Sequence, residues 1–263
     1  MKTRRTPLDW MPMFPEERHS QICSLIEVNG RVTVPELAKR FGVTEDCIRK
    51  DLKTLATAGK CQRVYGGATR VENVQERDIN NRMELFEPEK RTIAGKALKF
   101  IQPEQTIYLD ISSTNVQLAR LLAQSGISCT VVTPMLDVLS ALARAPHIDA
   151  LSLGGSMHAE LNACLGSIAL DVVRHYRFDL AFMGAYGVDT ESHEITTYDT
   201  DDGMLKRAAI ARAAVSYLVC ESRKFSAIGT YTYADYRDFD AMICDDENDS
   251  AIAQIRASGL DVL

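Results

Sequence analysis

The absences in this sequence narrow its reading first. Among its 263 residues there is no run of about 18 or more uninterrupted apolar residues, so no membrane-spanning helix is expected. The start, MKTRRTPLDWMPMFPEE, has basic residues but neither a continuous apolar segment nor a small-residue cleavage site, so it is not read as a secretory leader. The cytoplasm is the expected location. Seven cysteines (Cys23, Cys47, Cys61, Cys129, Cys164, Cys220, Cys244) are scattered with no C-x-x-C pair, which points to reduced, mostly buried thiols rather than zinc or redox chemistry. The five histidines form no paired spacing, and His158 and His193 read as surface residues. No metal or cofactor is called for.

What is present divides by charge. The formal charge of -6 conceals a local excess: residues 1 to 71 carry 13 Lys+Arg against 8 Asp+Glu, net +5, and residues 72 to 263 carry 17 against 28, net -11. A basic head on an acidic body is expected where only the head meets phosphate.

Behind a basic N-terminal tail, residues 1 to 15, the head occupies residues 16 to 71. PEERHSQICSLIEVNG places Ile22, Leu25, Ile26 and Val28 on a helical stripe that Asn29-Gly30 ends. TVPELAKRFG sets Thr33 three residues before Glu36, a capping-box spacing, with Pro35 in the first turn and Gly42 as stop. Thr44 then caps a third helix, with Glu45 and Asp46 near the positive end of its dipole.

On that third helix Ile48, Leu52 and Leu55 fall at i, i+4 and i+7 and face inward. At 100° per residue Asp46, Arg49, Lys50 and Lys53 project from the other side, three of them cationic. GKCQRVYGGATRV follows: Gly59 as helix stop, a short strand, Gly66-Gly67 as a tight turn, and a second strand. Three helices and a hairpin predict a winged helix-turn-helix, with the third helix reading base edges in the major groove of double-stranded DNA and the wing holding phosphates. The candidate DNA-binding residues are Thr44, Asp46, Arg49, Lys50 and Lys53 on the helix, and Arg63, Tyr65, Gly66, Gly67 and Arg70 on the wing. Each such face is, by frequency, more often a solvated surface; the spacing, hairpin and local charge together favour DNA.

VTEDCIRKDLKTLATAGKCQRVYGGATRV resembles the N-terminal signature of DeoR-family bacterial transcription regulators, a capped T-I-R-R-D-L helix, a glycine and a wing ending in H-G-G-A. Ile48, Arg49, Asp51, Leu52, Gly59, Arg63, Gly66, Gly67 and Ala68 match. Cys47 stands for the usual Thr, Lys50 for the second Arg and Tyr65 for His. The Cys47 change lies near the base-reading end and bears on site preference.

Residues 72 to 87 read as a polar linker into a helix beginning near Pro88, and residues 88 to 263 as an effector-binding and oligomerisation domain. In this body, strand-like runs at 106 to 112, 129 to 134, 149 to 155, 178 to 188, 217 to 222 and 240 to 246 alternate with helical patterns. Strand then helix, repeated, predicts an α/β fold with a mostly parallel sheet covered on both faces, whose ligands sit beyond the carboxyl ends of the strands.

Those ends are polar. Asp110, Ser112, Ser113 and Thr114 leave the first strand, Thr133 the second, Gly154-Gly155 the third and Gly184 the fourth, with Gly187 beyond it. Glu221 and Lys224 follow the fifth, and Lys206 opens the helix after TESHEITTYDTDD. Lysines and backbone N–H groups suit a phosphate, and carboxylates suit sugar hydroxyls, so the expected effector is a phosphorylated polyol. For any single one of these residues, capping a helix or turning the chain is an equally good account.

The DeoR resemblance runs through the body as DISST, TP, LGG, Gly166, GAYGV, DTDDGMLKR and ESRKF, covering about residues 16 to 246. It implies a domain similar to ribose-phosphate isomerase-type sugar domains and a phosphorylated sugar or related metabolite as effector; the expected function is repression of a carbohydrate operon, and because one small head binds DNA modestly, a homo-oligomer, dimer or tetramer, is expected. Ser112 replaces the usual Gly, Pro134 the usual Asn and Glu221 the usual Asp, and loss of the Asn amide removes a hydrogen-bonding group. The alternatives are an isomerase-like enzyme using Asp110, Glu221, Lys206 or Lys224, an activator of the same class, or an interaction module without effector.

Overall fold

The computed structural model describes residues 14–29, 31–64, 66–69, 78–225, 227–246 and 249–263. The chain divides into two compact units, Met1–Glu72 and Asn73–Leu263.

The first unit runs α1 (Pro15–Asn29), β1 (Arg31–Thr33), α2 (Val34–Phe41), α3 (Glu45–Thr57), β2 (Gln62–Val64) and β3 (Gly67–Thr69). Its caps are those the sequence announces. The Thr33 hydroxyl accepts from Glu36 N–H while the Glu36 carboxylate accepts from Thr33 N–H, and Thr44 accepts from Cys47 N–H at 3.3 Å. Ile22, Ile26, Leu37, Ile48, Leu52 and Leu55 close the core. The sequence reading missed β1, whose three residues are too few to show a period. It pairs antiparallel with β3, so the wing is a three-stranded sheet in the order β1-β3-β2. Gly67 makes that pairing possible: a Cβ there would lie 2.0 Å from the Val32 carbonyl oxygen.

The second unit begins earlier than its sequence suggests. Within the stretch expected as linker, residues 72 to 87, lies α4 (Ile79–Glu84), capped by the Asp78 carboxylate and anchored by fully buried Ile79, whose N–H donates to the Glu160 carbonyl at 2.8 Å. Two apolar residues, Ile79 and Met83, in a six-residue helix are too few to read as a period. Residues 72 to 77 lie outside the described residues, as does the N-terminal tail up to residue 13.

After α5 (Glu87–Leu98) the chain alternates through β4 (Thr106–Leu109), α6 (Ser113–Ser125), β5 (Cys129–Thr133), α7 (Leu136–Leu142) and β6 (Ile148–Ser152). A hairpin of β7 (Ser156–His158) and β8 (Ala163–Leu165) leads through α8 (Ser167–His175) to β9 (Phe178–Gly184). Then come β10 (Gly187–Val188), β11 (Glu194–Thr197), α9 (Thr200–Ile210), β12 (Ala213–Cys220), β13 (Tyr231–Asp235), β14 (Ala241–Cys244) and α10 (Ser250–Ala257).

The six apolar runs form one parallel sheet in the order β14-β12-β9-β4-β5-β6. From β4 the chain winds outward one way through β5 and β6, then returns to β9 on the other side of β4 and winds the opposite way. Right-handed crossovers therefore put the helices of the two halves on opposite faces. The crevice outside the carboxyl ends of β4 and β9, where the winding reverses, is where such sheets bind ligands. A small antiparallel sheet, β10-β11-β13, is built partly from the insert that looked merely polar.

Candidate nucleic-acid interface and effector cleft

On α3 the residues split as the wheel predicts. Ile48, Leu52 and Leu55 are buried, whereas Thr44, Asp46, Arg49, Lys50 and Lys53 are exposed, as are Arg63 and Gly66 on the wing. Arg49 reaches back to Glu45 at 2.6 Å and to Asp46 at 2.8 Å; both pairs lie in solvent and restrain it weakly. Gly67 is a correction: it is buried against β1, and its lack of a side chain serves the fold. Tyr65 and Arg70 lie outside the described residues.

Asp51 is the residue whose role the sequence hid. It sits on the inner face of α3 and is buried, with Arg18 Nε at 2.6 Å and His19 Nε2 at 2.9 Å, so a carboxylate ties α1 to α3. Its pKa is lowered: burial works upward, and the hydrogen bonds from Arg18 and His19 outweigh it.

In the second unit the crevice between β4 and β9 has a charged floor. Asp110, at the exit of β4, accepts from Gly184 N–H at 2.8 Å and from the Lys206 ammonium. Lys206 lies 3.3 Å from Asp202, one turn earlier on α9, and Asp202 accepts from the Thr197 hydroxyl at 2.7 Å. Asp110, Asp202 and Lys206 are all buried, so two carboxylates share one ammonium. Burial, aided by the second carboxylate, raises the Asp110 pKa to about 6 against the pull of Lys206; the two carboxylates keep Lys206 protonated. The second oxygen of Asp110, Oδ1, has no hydrogen-bond partner among the described residues.

Ser112 caps α6, its hydroxyl accepting from Thr114 N–H at 3.1 Å and Asn115 N–H at 3.4 Å. The Asn115 amide bridges the Asp110 and Phe182 carbonyls and locks the two strand ends together. Over this floor the cleft is lined by Arg82, Ser112, Gly184, Ala185, Lys206 and Lys224, with Leu161, Thr197, Tyr186 and Tyr198 among its other walls. Lys224 donates to the Ala185 carbonyl at 2.8 Å and pairs with Glu221 at 2.9 Å.

Of the residues expected around an effector, the structure thus gathers Asp110, Ser112, Gly184, Lys206, Glu221 and Lys224. Ser113 and Thr114 are buried in the first turn of α6, outside the lining, although Thr114 Oγ1 has no partner among the described residues. Thr133 is buried and caps the turn at Met135; Gly154 and Gly155 turn the chain after β6. None of these three lines the cleft. The part assigned to Lys206 changes as well: its ammonium is spent on two carboxylates, so it orients them and is not a free cation for phosphate. Arg82, Thr197, Tyr198 and Asp202 were missed as site residues. The last three lie in the acidic stretch of residues 191 to 202, where the sequence points to effector choice without naming a residue; Arg82 was hidden in the apparent linker.

Among the described residues no group of His, Cys, Asp or Glu is arranged to hold a metal, and no helix is long and apolar enough to cross a membrane.

A winged helix-turn-helix unit with a cationic helix, in one chain with a doubly wound sheet whose crevice is lined for a small polar ligand, defines the class of transcription regulators that carry their own sensor. Residues 18–74 match the family described as DeoR-like helix-turn-helix domain, and residues 86–246 the one described as DeoR C terminal sensor domain. The chain belongs to the DeoR family of transcriptional regulators. It is 32% identical over 236 residues to the uncharacterised HTH-type transcriptional regulator FruR of Bacillus subtilis, covering 89% of this chain and 93% of that one. It is 29% identical to the lactose phosphotransferase system repressor of Lactococcus lactis, over 89% and 92% of the two chains. Among solved structures, a D-ribose-5-phosphate isomerase in complex with phospho-erythronic acid overlaps 52% of this chain and 53% of its own, with 22% identity and a TM-score of 0.39.

Proposed function

We propose that the protein represses a carbohydrate-metabolism operon and leaves its operator when a phosphorylated sugar fills the cleft between β4 and β9. The observation that carries this reading is the buried Asp110–Lys206–Asp202 group at the point where the sheet reverses, beneath a rim bearing Arg82 and Lys224. Carboxylates fixed by an ammonium are acceptors for sugar hydroxyls, and rim cations suit a phosphate. The Lactococcus lactis relative, named as repressor of a lactose phosphotransferase system, supports a sugar as the signal.

In the head, Arg49, Lys50 and Lys53 are the base- and phosphate-contacting groups, with Arg63 on the wing. One such unit binds DNA modestly, so two or more copies of the chain are proposed to hold their heads at half-site spacing, and the effector shifts the population to an arrangement that fits poorly. The body is given a binding role without turnover, in keeping with a family of transcriptional regulators. The test is binding to the promoter DNA of its own gene at one fixed salt concentration, with and without a panel of sugar phosphates. Release by one phosphate and not by its parent sugar is the expected result; specific binding indifferent to every compound removes the effector reading.

A further inference from the structure

The cations of the cleft are not equivalent. Lys206 carries Asp110 and Asp202, and Lys224 carries Glu221 and the Ala185 carbonyl. Arg82 also lines the cleft, yet its Nε and Nη2 are shut off from solvent with no hydrogen-bond partner among the described residues. A guanidinium cannot shed its charge, and its planar fork matches the two oxygens of a phosphate. Lys90, buried nearby, has its pKa lowered to about 8 by burial first; Glu221 pulls it up, and the charges of Lys224, Arg223 and Arg82 push it down.

The position of Arg82 in the chain gives its occupation a consequence. It is on α4, the first described element after the DNA-binding unit. The body holds α4 through the Ile79 and Met83 side chains, the Ile79 N–H, and the Lys90 ammonium, which donates to the carbonyls of Arg82 and Leu85.

We propose that Arg82 is the phosphate ligand of the cleft and that phosphate binding fastens α4, the segment leading from the DNA-binding unit, to the body. This rests on the reading of the cleft as a sugar-phosphate site and adds to it the residue that takes the phosphate and the element through which the signal leaves. Phosphate bridges the Arg82 fork to the Lys224 side of the rim, so the helix gains a tie to the body through its polar face.

The test uses the full chain with inorganic phosphate as probe, against chloride at equal ionic strength, read by melting temperature and by amide exchange at residues 79 to 84. Wild-type protein should show a saturable rise in melting temperature and slower exchange in α4. Arg82→Gln should lose both, with phosphate binding at least tenfold weaker, and Arg82→Lys should keep a reduced melting shift because it retains charge without the fork. An unchanged melting temperature of unliganded Arg82→Gln establishes that it folds; if it does not, Arg82→Lys carries the comparison. Equal phosphate response in wild type and both variants, or none in wild type, overturns the assignment of Arg82. Operator release by sugar phosphates, measured separately on wild type, tells that failure from failure of the cleft itself: release that persists in Arg82→Gln sinks this inference and leaves the function standing.

Discussion

The guanidinium of Arg18, on α1, grips the carboxylate of Asp51, on α3, at 2.6 and 3.1 Å, and both side chains are buried. The exposed face of α3 is therefore aimed from behind by one ion pair. Removing one partner of a buried pair leaves the other uncompensated, at a cost of about 3 kcal/mol. Asp51→Asn should loosen the first unit by about that amount. The readout is amide exchange, faster in α1 and α3 and unchanged in α6.

On the outward face, Arg49 is shared with Glu45 and Asp46 in exposed pairs worth at most about 1 kcal/mol, so DNA can take it from them. A bidentate base contact contributes about 1–3 kcal/mol, so Arg49→Ala together with Lys53→Ala should weaken operator binding roughly 10- to 100-fold at fixed salt. Lys53→Ala alone should lower the salt slope by about 1 if it meets a phosphate. Undiminished binding of the double variant would remove α3 as the recognition helix.

How much of this was legible in the sequence depends on how far each feature reaches along the chain. Caps such as Thr33 with Glu36 and Thr44 with Cys47 are local, and the six parallel strands are apolar runs bounded by turns, so both could be read directly. Asp51 and Arg18 are 33 residues apart, and Asp110 and Lys206 are 96 apart; no periodicity joins such partners. Lys206 was noticed as a cation but misread in role: Asp202 is one turn away on the same helix, but Asp110 becomes its neighbour only when α9 packs over the end of β4. The short elements β1 and α4 lack enough residues to show a pattern, and Arg82 was lost with α4.

Gly184 ends β9 where α6 begins, and a Cβ there would stand 2.6 Å from Ser112 Cβ and 3.1 Å from its hydroxyl. Gly184→Ala must push the α6 cap away from the strand, which for overpacking costs about 1–3 kcal/mol. The same displacement moves Ser112 and the Gly184 N–H that holds Asp110. A lowered melting temperature accompanied by loss of operator release, with operator affinity itself intact, is the expected result in a gel-shift titration.

Glu221 supplies the last prediction, through pH. Burial by itself would raise its carboxyl pKa; the charges of Lys224 and Arg223, the hydrogen bond from Lys224 and the charge of Lys90 outweigh it and hold the group at about 2, below its ordinary 4.5. A carboxyl whose folded pKa is depressed contributes stability that is fully present above the unfolded pKa and is lost as pH falls through the folded one. For Glu221 that contribution is about 3 kcal/mol at pH 7, at roughly 1.4 kcal/mol per unit, and it disappears between about pH 5 and pH 2. Glu221→Gln should therefore be less stable than wild type at pH 7, because Lys224 and Lys90 lose their common counter-charge. The gap between the two proteins should close as pH falls from 5 towards 2. Urea unfolding of both across pH 7 to 3 measures it, and a gap that stays constant over that range would show that Glu221 is not ionised against these cations in the native protein.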